Sequence, residues 1–142
     1  YTTLFRSNCG EIVLDKLLIQ EMQKQYPALQ IAVLVRGREA LNDATIEDAE
    51  QVGLMKLVPV VGNGTGIAGT VLEKITEEAR KLLKEADVIL AKGQGNFESM
   101  YGCGLNVYYL FLCKCDWFVK RFGLTKNAGV FLREGEYHEA GY

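Results

Sequence analysis

The sequence has little net charge and no long apolar run. Its 142 residues carry 16 Lys and Arg against 18 Asp and Glu, a formal net charge of -2, so no bulk field would recruit nucleic acid or an acidic membrane. A membrane-spanning helix needs about 18 consecutive apolar residues, and no such run occurs. No secretory signal pattern is found at the start. We therefore expect a cytoplasmic protein that binds neither nucleic acid nor membranes.

Side chains that bind zinc are scarce as well. The cysteines, Cys9, Cys103, Cys113 and Cys115, form no C-x-x-C pair, and the one histidine is His138, near the C-terminus. Protein zinc sites normally use closely spaced Cys and His pairs. The cysteines are therefore interpreted as reduced, partly buried thiols of a cytoplasmic protein.

Short apolar segments alternate with helical patterns along the chain, whose length suits a single domain over residues 1–142. Helices are predicted to start near Ile12, with an apolar stripe of Ile12, Val13, Leu17, Leu18 and Met22, and to span 45–51, 71–86 and 116–122. Strands are predicted at 1–5, 31–35, 57–61, 87–91, 106–112 and 130–132. This alternation predicts an α/β fold of three layers, Rossmann-like, with a mainly parallel sheet and helices on both faces.

In open sheets of this kind, ligands bind beyond the carboxyl ends of the strands, so the following loops are where chemistry is expected. Asn42 and Asp43 offer hard oxygen ligands that suit Mg²⁺ or Mn²⁺, and Asn8 could add a third oxygen. The alternative is that these residues are helix N-caps, where Asn and Asp are favoured. Proline at position 59 either weakens the strand at 57–61 or places it at an edge of the sheet.

Residues 92–96, with the sequence KGQGN, are predicted to form a loop after a buried strand. Lys92 supplies a positive charge there, and Gly93 and Gly95 let backbone N–H groups approach an anion, for which phosphate is the natural choice. The alternative is an ordinary glycine turn with a solvated lysine. Arg36 and Arg38 could bind an anion as well or simply face solvent.

Residues 64–69, GTGIAG, match the G-x-G-x-x-G dinucleotide-binding pattern. The match follows the third strand rather than the first, and the next strand ends in Lys92 instead of an acidic residue. A nicotinamide-dependent oxidoreductase is therefore a minor alternative, and the same glycines could line a phosphate site.

Three segments in order resemble one family. NCGEIVLDKLL at 8–18, VRG at 35–37 with NDAT at 42–45, and ADVILAKGQGNFE at 86–98 resemble the damage-control phosphatases over residues 8–132. The resemblance implies a phosphatase that depends on a divalent metal (Mn, Mg, Co or Ni) and acts on small phosphorylated metabolites such as sugar or nucleotide phosphates. It implies the metal ligands Asn8 and Asp43, the catalytic residues Asp43 and Lys92, and the substrate-binding residues Glu11, Arg36, Asn42, Lys92, Gly93, Gly95 and Asn96.

The sequence departs from this family at two points. Ser7 stands where the family has a metal-binding aspartate, and because a hydroxyl is a weaker ligand we expect reduced metal affinity and turnover. Family members also carry an upstream helical region for which this chain has no room. The chain is thus expected to be a fragment whose residues 1–7 are not native to the domain. Ser7 keeps open a second hypothesis, a non-catalytic domain that binds phosphorylated metabolites or nucleotides.

Overall fold

The computed structural model describes residues 2–5 (as backbone), 10–39 and 41–136, and contains a single mixed sheet with helices on both sides. The strands are β1 (Thr2–Phe5), β2 (Ile31–Val35), β3 (Val60–Gly62), β4 (Val88–Lys92), β5 (Val107–Leu112) and β6 (Gly129–Arg133). The helices are α1 (Ile12–Gln25), α2 (Ile46–Gln51), α3 (Glu77–Glu85), α4 (Gln94–Met100) and α5 (Asp116–Phe122), with a 3-10 turn at Leu54–Lys56. None of the helices in these ranges is long and apolar enough to cross a membrane.

The strand order is β3-β2-β1-β4-β5-β6, and only β6 runs antiparallel to its neighbour. Strand β1 lies at the centre, with Thr2 opposite Ile31 of β2 on one side and opposite Val88 of β4 on the other. The chain therefore reverses its direction of travel across the sheet between β1 and β4, the point where such folds open a crevice for ligands. This topology confirms the predicted α/β fold with a mainly parallel sheet.

Two apolar cores flank the sheet. On one side, Ile12 and Ile19 of α1 pack with alternate residues of β2 and with Ala49 of α2. On the other side, α3, α4 and α5 pack against Ile89 and Tyr109 of the central and outer strands. Because successive residues of a strand point to opposite faces, Leu90 belongs to the α1 side while Ile89 belongs to the α3 side.

Several predicted boundaries were wrong for local reasons. The helix expected over 71–86 begins only at Glu77, because the Thr76 hydroxyl accepts a hydrogen bond from Ala79 N at 3.2 Å and so caps the helix there. No loop is formed at 92–96: Lys92 is the last residue of β4, Gly93, at φ 86°, turns the chain, and α4 begins at Gln94. Pro59 precedes the edge strand β3, which confirms the expected edge position.

Only part of the predicted apolar stripe of α1 faces the core. The buried side of this helix is formed by Ile12, Asp15 and Ile19, with Met22 partly buried. Val13, Leu17 and Leu18 of the predicted stripe are exposed. The sequence contains apolar residues on more than one side of this helix, so periodicity alone could not identify the side that packs on the sheet.

A buried hydroxyl joins β5 to the segment after β6. The Tyr109 hydroxyl donates to Glu134 Oε2 at 2.7 Å, and Glu134 Oε1 accepts a hydrogen bond from Gly102 N at 2.7 Å. Burial, together with the bond to Glu134, raises the pKa of Tyr109 well above its ordinary value. The folded chain therefore retains a proton that an unfolded chain loses above about pH 10, and stability should fall as the pH rises past that value.

We expect Tyr109→Phe to lower the free energy of unfolding by about 1–3 kcal/mol, because the Glu134 carboxylate loses a donor in a partly buried site. Urea denaturation followed by circular dichroism would measure the change. Tyr108→Phe is the matched control, since Tyr108 lies on the opposite face of the same strand and stacks on Phe131. An equal loss in both variants would contradict the proposed contribution of the Tyr109 hydroxyl.

Candidate functional site

The buried polar side chains of the described residues gather at the end of the sheet where its five parallel strands finish. This end is here called the carboxyl edge. These side chains lie in the first turns of α1 and α4, in the segment between β2 and α2, after β3, and in the loop before α3. Burying polar groups is costly unless they are paired, so this concentration marks the carboxyl edge as the part of the fold built for polar chemistry. The residues are Asp15, Arg36, Asp43, Thr45, Asn63, Thr70 and Asn96.

An ion pair joins the end of β4 to α1. Lys92 Nζ binds Asp15 Oδ1, and the two side chains are only 17% and 12% exposed. No role was predicted for Asp15 from the sequence, although this residue lies inside the 8–18 segment. In the sequence, Asp15 is an acidic residue at helical spacing from Ile12. In the structure, both residues lie on the buried side of α1. The ion pair fixes the position of the lysine ammonium at the switch point between β1 and β4.

A cavity of about 460 Å³ opens at the carboxyl ends of β4 and β5. Four of the predicted site residues line it together: Glu11, Lys92, Gly93 and Gly95. A second cation, Lys114, also lines the cavity. It was not predicted from the sequence, because no glycine motif accompanies it after β5. The backbone N–H of Lys114 donates to Gln94 Oε1 at 3.0 Å, which ties the loop after β5 to α4.

Gly93 lets the chain turn from β4 into α4. Its φ of 86° lies in the left-handed region that favours glycine. Its N–H group donates to Leu110 O at 2.9 Å and so continues the pairing of β4 with β5. The backbone N–H of Gly93 is one of those predicted to approach a phosphate. It is already hydrogen-bonded to Leu110 O within the sheet.

Asn96 is fully buried and connects three segments of the carboxyl edge. Its Nδ2 donates to Lys92 O at 2.8 Å, and its Oδ1 accepts a hydrogen bond from the Thr70 hydroxyl at 2.9 Å. The carboxamide is thus positioned to hold the backbone of Lys92 in place. This placement favours a contribution of Asn96 to the position of Lys92, in addition to the contact with phosphate that the family resemblance implies.

Arg36 and Asp43 form the most deeply buried ion pair of the described residues. Arg36 Nε donates to Asp43 Oδ2 at 2.9 Å, with side-chain exposures of 3% and 2%. Arg36 Nη1 also donates to Gly69 O. Asp43 lines a second cavity of about 430 Å³ together with Asn42 and Arg38. The alternative that Arg36 simply faces solvent is therefore wrong, because its side chain is buried.

The alternative that Asn42 and Asp43 are helix caps is wrong. Helix α2 is capped by Thr45, whose hydroxyl accepts a hydrogen bond from Asp48 N while the Asp48 carboxylate accepts one from Thr45 N. Asn42 and Asp43 precede this capping box and contribute nothing to it. Capping of α2 therefore does not account for Asn42 and Asp43 at the carboxyl edge.

The glycine-rich segment 64–69 lies between the two cavities. A Cβ on Gly37 would collide with the backbone of Gly64, and one on Gly69, at φ 80°, would collide with Gly95 O and Ser99. Close packing of backbones thus accounts for these glycines without a dinucleotide. Because Gly69 O binds Arg36 and the Thr70 hydroxyl binds Asn96, this segment links the Asp43 cavity to the Lys92 cavity.

The metal ligands predicted from sequence are only partly described. Asn8, and Ser7 beside it, lie outside the described residues. Within 10–39 and 41–136, no group of three or more His, Cys, Asp or Glu side chains is placed to hold a metal ion. Asp43 has hard oxygen atoms that suit Mg²⁺ or Mn²⁺, and its Oδ2 binds Arg36 Nε.

Comparison with known proteins relates this arrangement to one family. Residues 3–130 match the family model described as "Damage-control phosphatase ARMT1-like domain". The chain is 36% identical over 129 residues to the damage-control phosphatase PH1575 of Pyrococcus horikoshii, and 36% identical over 120 residues to a damage-control phosphatase of Archaeoglobus fulgidus. These matches cover 89% and 83% of the chain but only 44% and 41% of the two relatives.

A solved structure shows the same fold. The crystal structure of the DUF89 family protein PH1575 from Pyrococcus horikoshii superposes with a TM-score of 0.85 at 32% sequence identity. The superposition covers 94% of this chain and 47% of that one. The chain therefore spans less than half the length of the relatives that it matches.

Proposed function

Because the chain belongs to the damage-control phosphatase ARMT1-like domain family, we propose that it is a metal-dependent phosphatase domain acting on small phosphorylated metabolites, such as sugar or nucleotide phosphates. Two of the relatives are named as damage-control phosphatases. They are more than twice as long as the region they share with this chain, so the activity itself is part of the proposal.

The observation that carries the proposal is the placement of Lys92. Lys92 lines the cavity at the carboxyl ends of β4 and β5, and Asp15 and Asn96 hold its side chain and its backbone. A cation fixed in this way can neutralise negative charge on a phosphoryl group without reorganising during the reaction. Lys114, across the same cavity, offers a second contact to an anionic substrate.

We assign Asp43 and Asn8 as the metal ligands, with Asn42 beside them. A bound divalent ion would supply Lewis-acid stabilisation of the phosphoryl oxygens. Arg36 would keep the Asp43 carboxylate correctly oriented, since it donates to one of its oxygens and is itself fixed by Gly69 O. Lys92, Gly95 and Glu11 would line the space for the substrate.

Restoring the family's carboxylate tests this assignment by a gain of activity. We expect Ser7→Asp to raise hydrolysis of p-nitrophenyl phosphate in the presence of Mn²⁺, Mg²⁺, Co²⁺ or Ni²⁺, because a charged ligand binds these ions more tightly than a hydroxyl. Removal of the metal with a chelator should abolish the gain.

Thr125→Asp is the matched control, because it adds the same charge at an exposed residue of the loop between α5 and β6 that is not among the assigned metal ligands. The relative from Pyrococcus horikoshii would serve as the reference enzyme. If Ser7→Asp shows no more metal-dependent turnover than Thr125→Asp, the assignment of a metal site beside Asn8 fails.

The second candidate is a domain that binds phosphorylated metabolites without turning them over, which Ser7 favours because a weakened metal site can still bind an anion. Calorimetry with inorganic phosphate, with and without Mn²⁺, separates the two functions. Phosphate binding without metal, combined with no turnover in either the native chain or Ser7→Asp, would support the binding domain.

A further inference from the structure

A cavity of about 510 Å³ lies between α4 and α5, on the side of the sheet opposite to α1. None of the residues that line it lines either cavity of the carboxyl edge. The function proposed above therefore does not account for it. Most of its lining side chains are aromatic, and we call it the aromatic cleft. It is defined by Phe97, Tyr101, Trp117, Phe118, Arg121 and Phe122.

The aromatic cleft has an apolar floor and a charged rim. Phe97 is fully buried, and its ring centroid lies 5.6 Å from that of Phe118 and 5.3 Å from that of Phe122. Trp117 is 52% exposed, and its ring centroid lies 5.1 Å from that of Phe118. The Arg121 guanidinium stacks on the Trp117 ring, with Cζ 4.7 Å from the ring centroid. A segment that carries aromatic side chains next to a carboxylate matches both parts of this cleft.

The last described residues lie beside the aromatic cleft. Glu134, which follows β6, accepts a hydrogen bond from Gly102 N at 2.7 Å. Gly102 is the neighbour of Tyr101, which lines the cleft and whose ring centroid lies 5.9 Å from that of Phe122. Glu136, the last described residue, is two positions further along the chain. The residues after 136 therefore start at the border of the cleft.

Residues 137–142, with the sequence YHEAGY, lie outside the described part of the chain. Their composition complements the cleft, because they contain two tyrosines and a single acidic residue, Glu139. Six residues span at most about 20 Å, whereas the steps from Tyr101 to Phe122 and from Phe122 to Arg121 are 5.9 and 5.6 Å. We propose that residues 137–142 bind in the aromatic cleft, with tyrosine rings on its apolar floor and the Glu139 carboxylate paired with Arg121.

Fluorescence of the full chain tests the proposal, because Trp117 is its only tryptophan and lines the cleft. We expect the variant with both Tyr137→Ser and Tyr142→Ser to shift the emission to longer wavelength and to raise the acrylamide quenching constant, since the indole loses apolar cover. Tyr26→Ser is the matched control. Tyr26 is a 63% exposed tyrosine at the end of α1, on the other side of the sheet, and its substitution should change neither quantity.

An exchange of charges tests the pairing of Glu139 with Arg121. Glu139→Arg and Arg121→Glu should each raise the acrylamide quenching constant of Trp117, because each removes the ion pair and brings like charges together. The variant with both substitutions should return the constant to its native value, because the pair forms again with its charges exchanged. Circular dichroism and a thermal melt of each variant verify that the fold is intact. None of these measurements uses phosphatase activity, so the proposal stands or fails separately from the proposed function.

Four results would overturn the proposal. The first is a Tyr137→Ser and Tyr142→Ser variant whose fluorescence changes no more than that of Tyr26→Ser. The second is a charge-exchanged variant whose Trp117 is quenched as strongly as in the single variants. The third is quenching that falls as the protein concentration rises, since a second copy of the chain would then cover the cleft. The fourth is protection of Trp117 that is lost when the purified chain is unfolded in urea, dialysed and refolded, because a bound small molecule would then have covered it.

Discussion

Asp43→Asn is expected to lower metal-dependent hydrolysis of p-nitrophenyl phosphate by about 100-fold or more, the upper end of what is lost when the environment of a metal ligand is disturbed. The measurement is best made in the Ser7→Asp background, where turnover should be highest. Asparagine keeps the shape of the side chain and an oxygen that can accept the hydrogen bond from Arg36 Nε. It removes only the charge that we propose binds the metal.

The choice of asparagine matters because Asp43 also pairs with the buried Arg36. Asp43→Ala would leave the Arg36 guanidinium buried without its carboxylate and would confuse loss of activity with loss of fold. Asp116→Asn is the matched control, since it removes the same charge from an exposed residue of α5 that pairs with Lys126. Equal turnover in Asp43→Asn and Asp116→Asn would end the assignment of Asp43 as a ligand.

Arg36→Met is expected to lower the free energy of unfolding by about 3–5 kcal/mol, because it leaves the Asp43 carboxylate buried and uncompensated. The double variant Arg36→Met with Asp43→Leu should recover most of this loss, since a buried ion pair can be replaced by apolar side chains of similar volume at little cost. Urea denaturation of the native chain, the two single variants and the double variant gives the coupling free energy directly.

Lys126→Met serves as the control for this series, because the Lys126–Asp116 pair has a comparable distance of 2.8 Å but is exposed. Exposed pairs contribute about 0–1 kcal/mol. A loss below about 1 kcal/mol in Arg36→Met would show that the Arg36–Asp43 pair contributes no more to stability than a surface pair.

The fold could be predicted from the sequence because its signals are local. The continuous apolar run at 31–35 became β2, and the pattern at 116–122 became α5 with the predicted bounds. Errors arose at the ends of elements, where a tertiary contact adds to the local signals. Besides the capping of α3 by the Thr76 hydroxyl, the backbone N–H of Thr76 donates to Asn63 O across the structure, at 3.0 Å. No pattern within 71–86 predicts this second contact.

The site was predictable as a set of loops but not as a set of contacts. The rule that ligands bind beyond the carboxyl ends of parallel strands selected Glu11, Asp43 and Lys92 correctly as residues of that edge. It could not reveal that Lys92 pairs with Asp15, because the two residues are 77 positions apart in sequence. Nor could it separate Asp43 from Lys92 into two cavities, since this depends on how residues 64–69 pack between them.

The central position of β1 has a consequence for how the chain folds during synthesis. Strands β2 and β3 on one side of it, and β4 to β6 on the other, share no strand pairing except through Thr2–Phe5. After β2 has been synthesised, β1 can pair with it at once, but its other edge stays unpaired until residues 88–91 leave the ribosome. Closing that long loop carries an entropic cost before any contact rewards it, so joining the two halves of the sheet is expected to limit the folding rate.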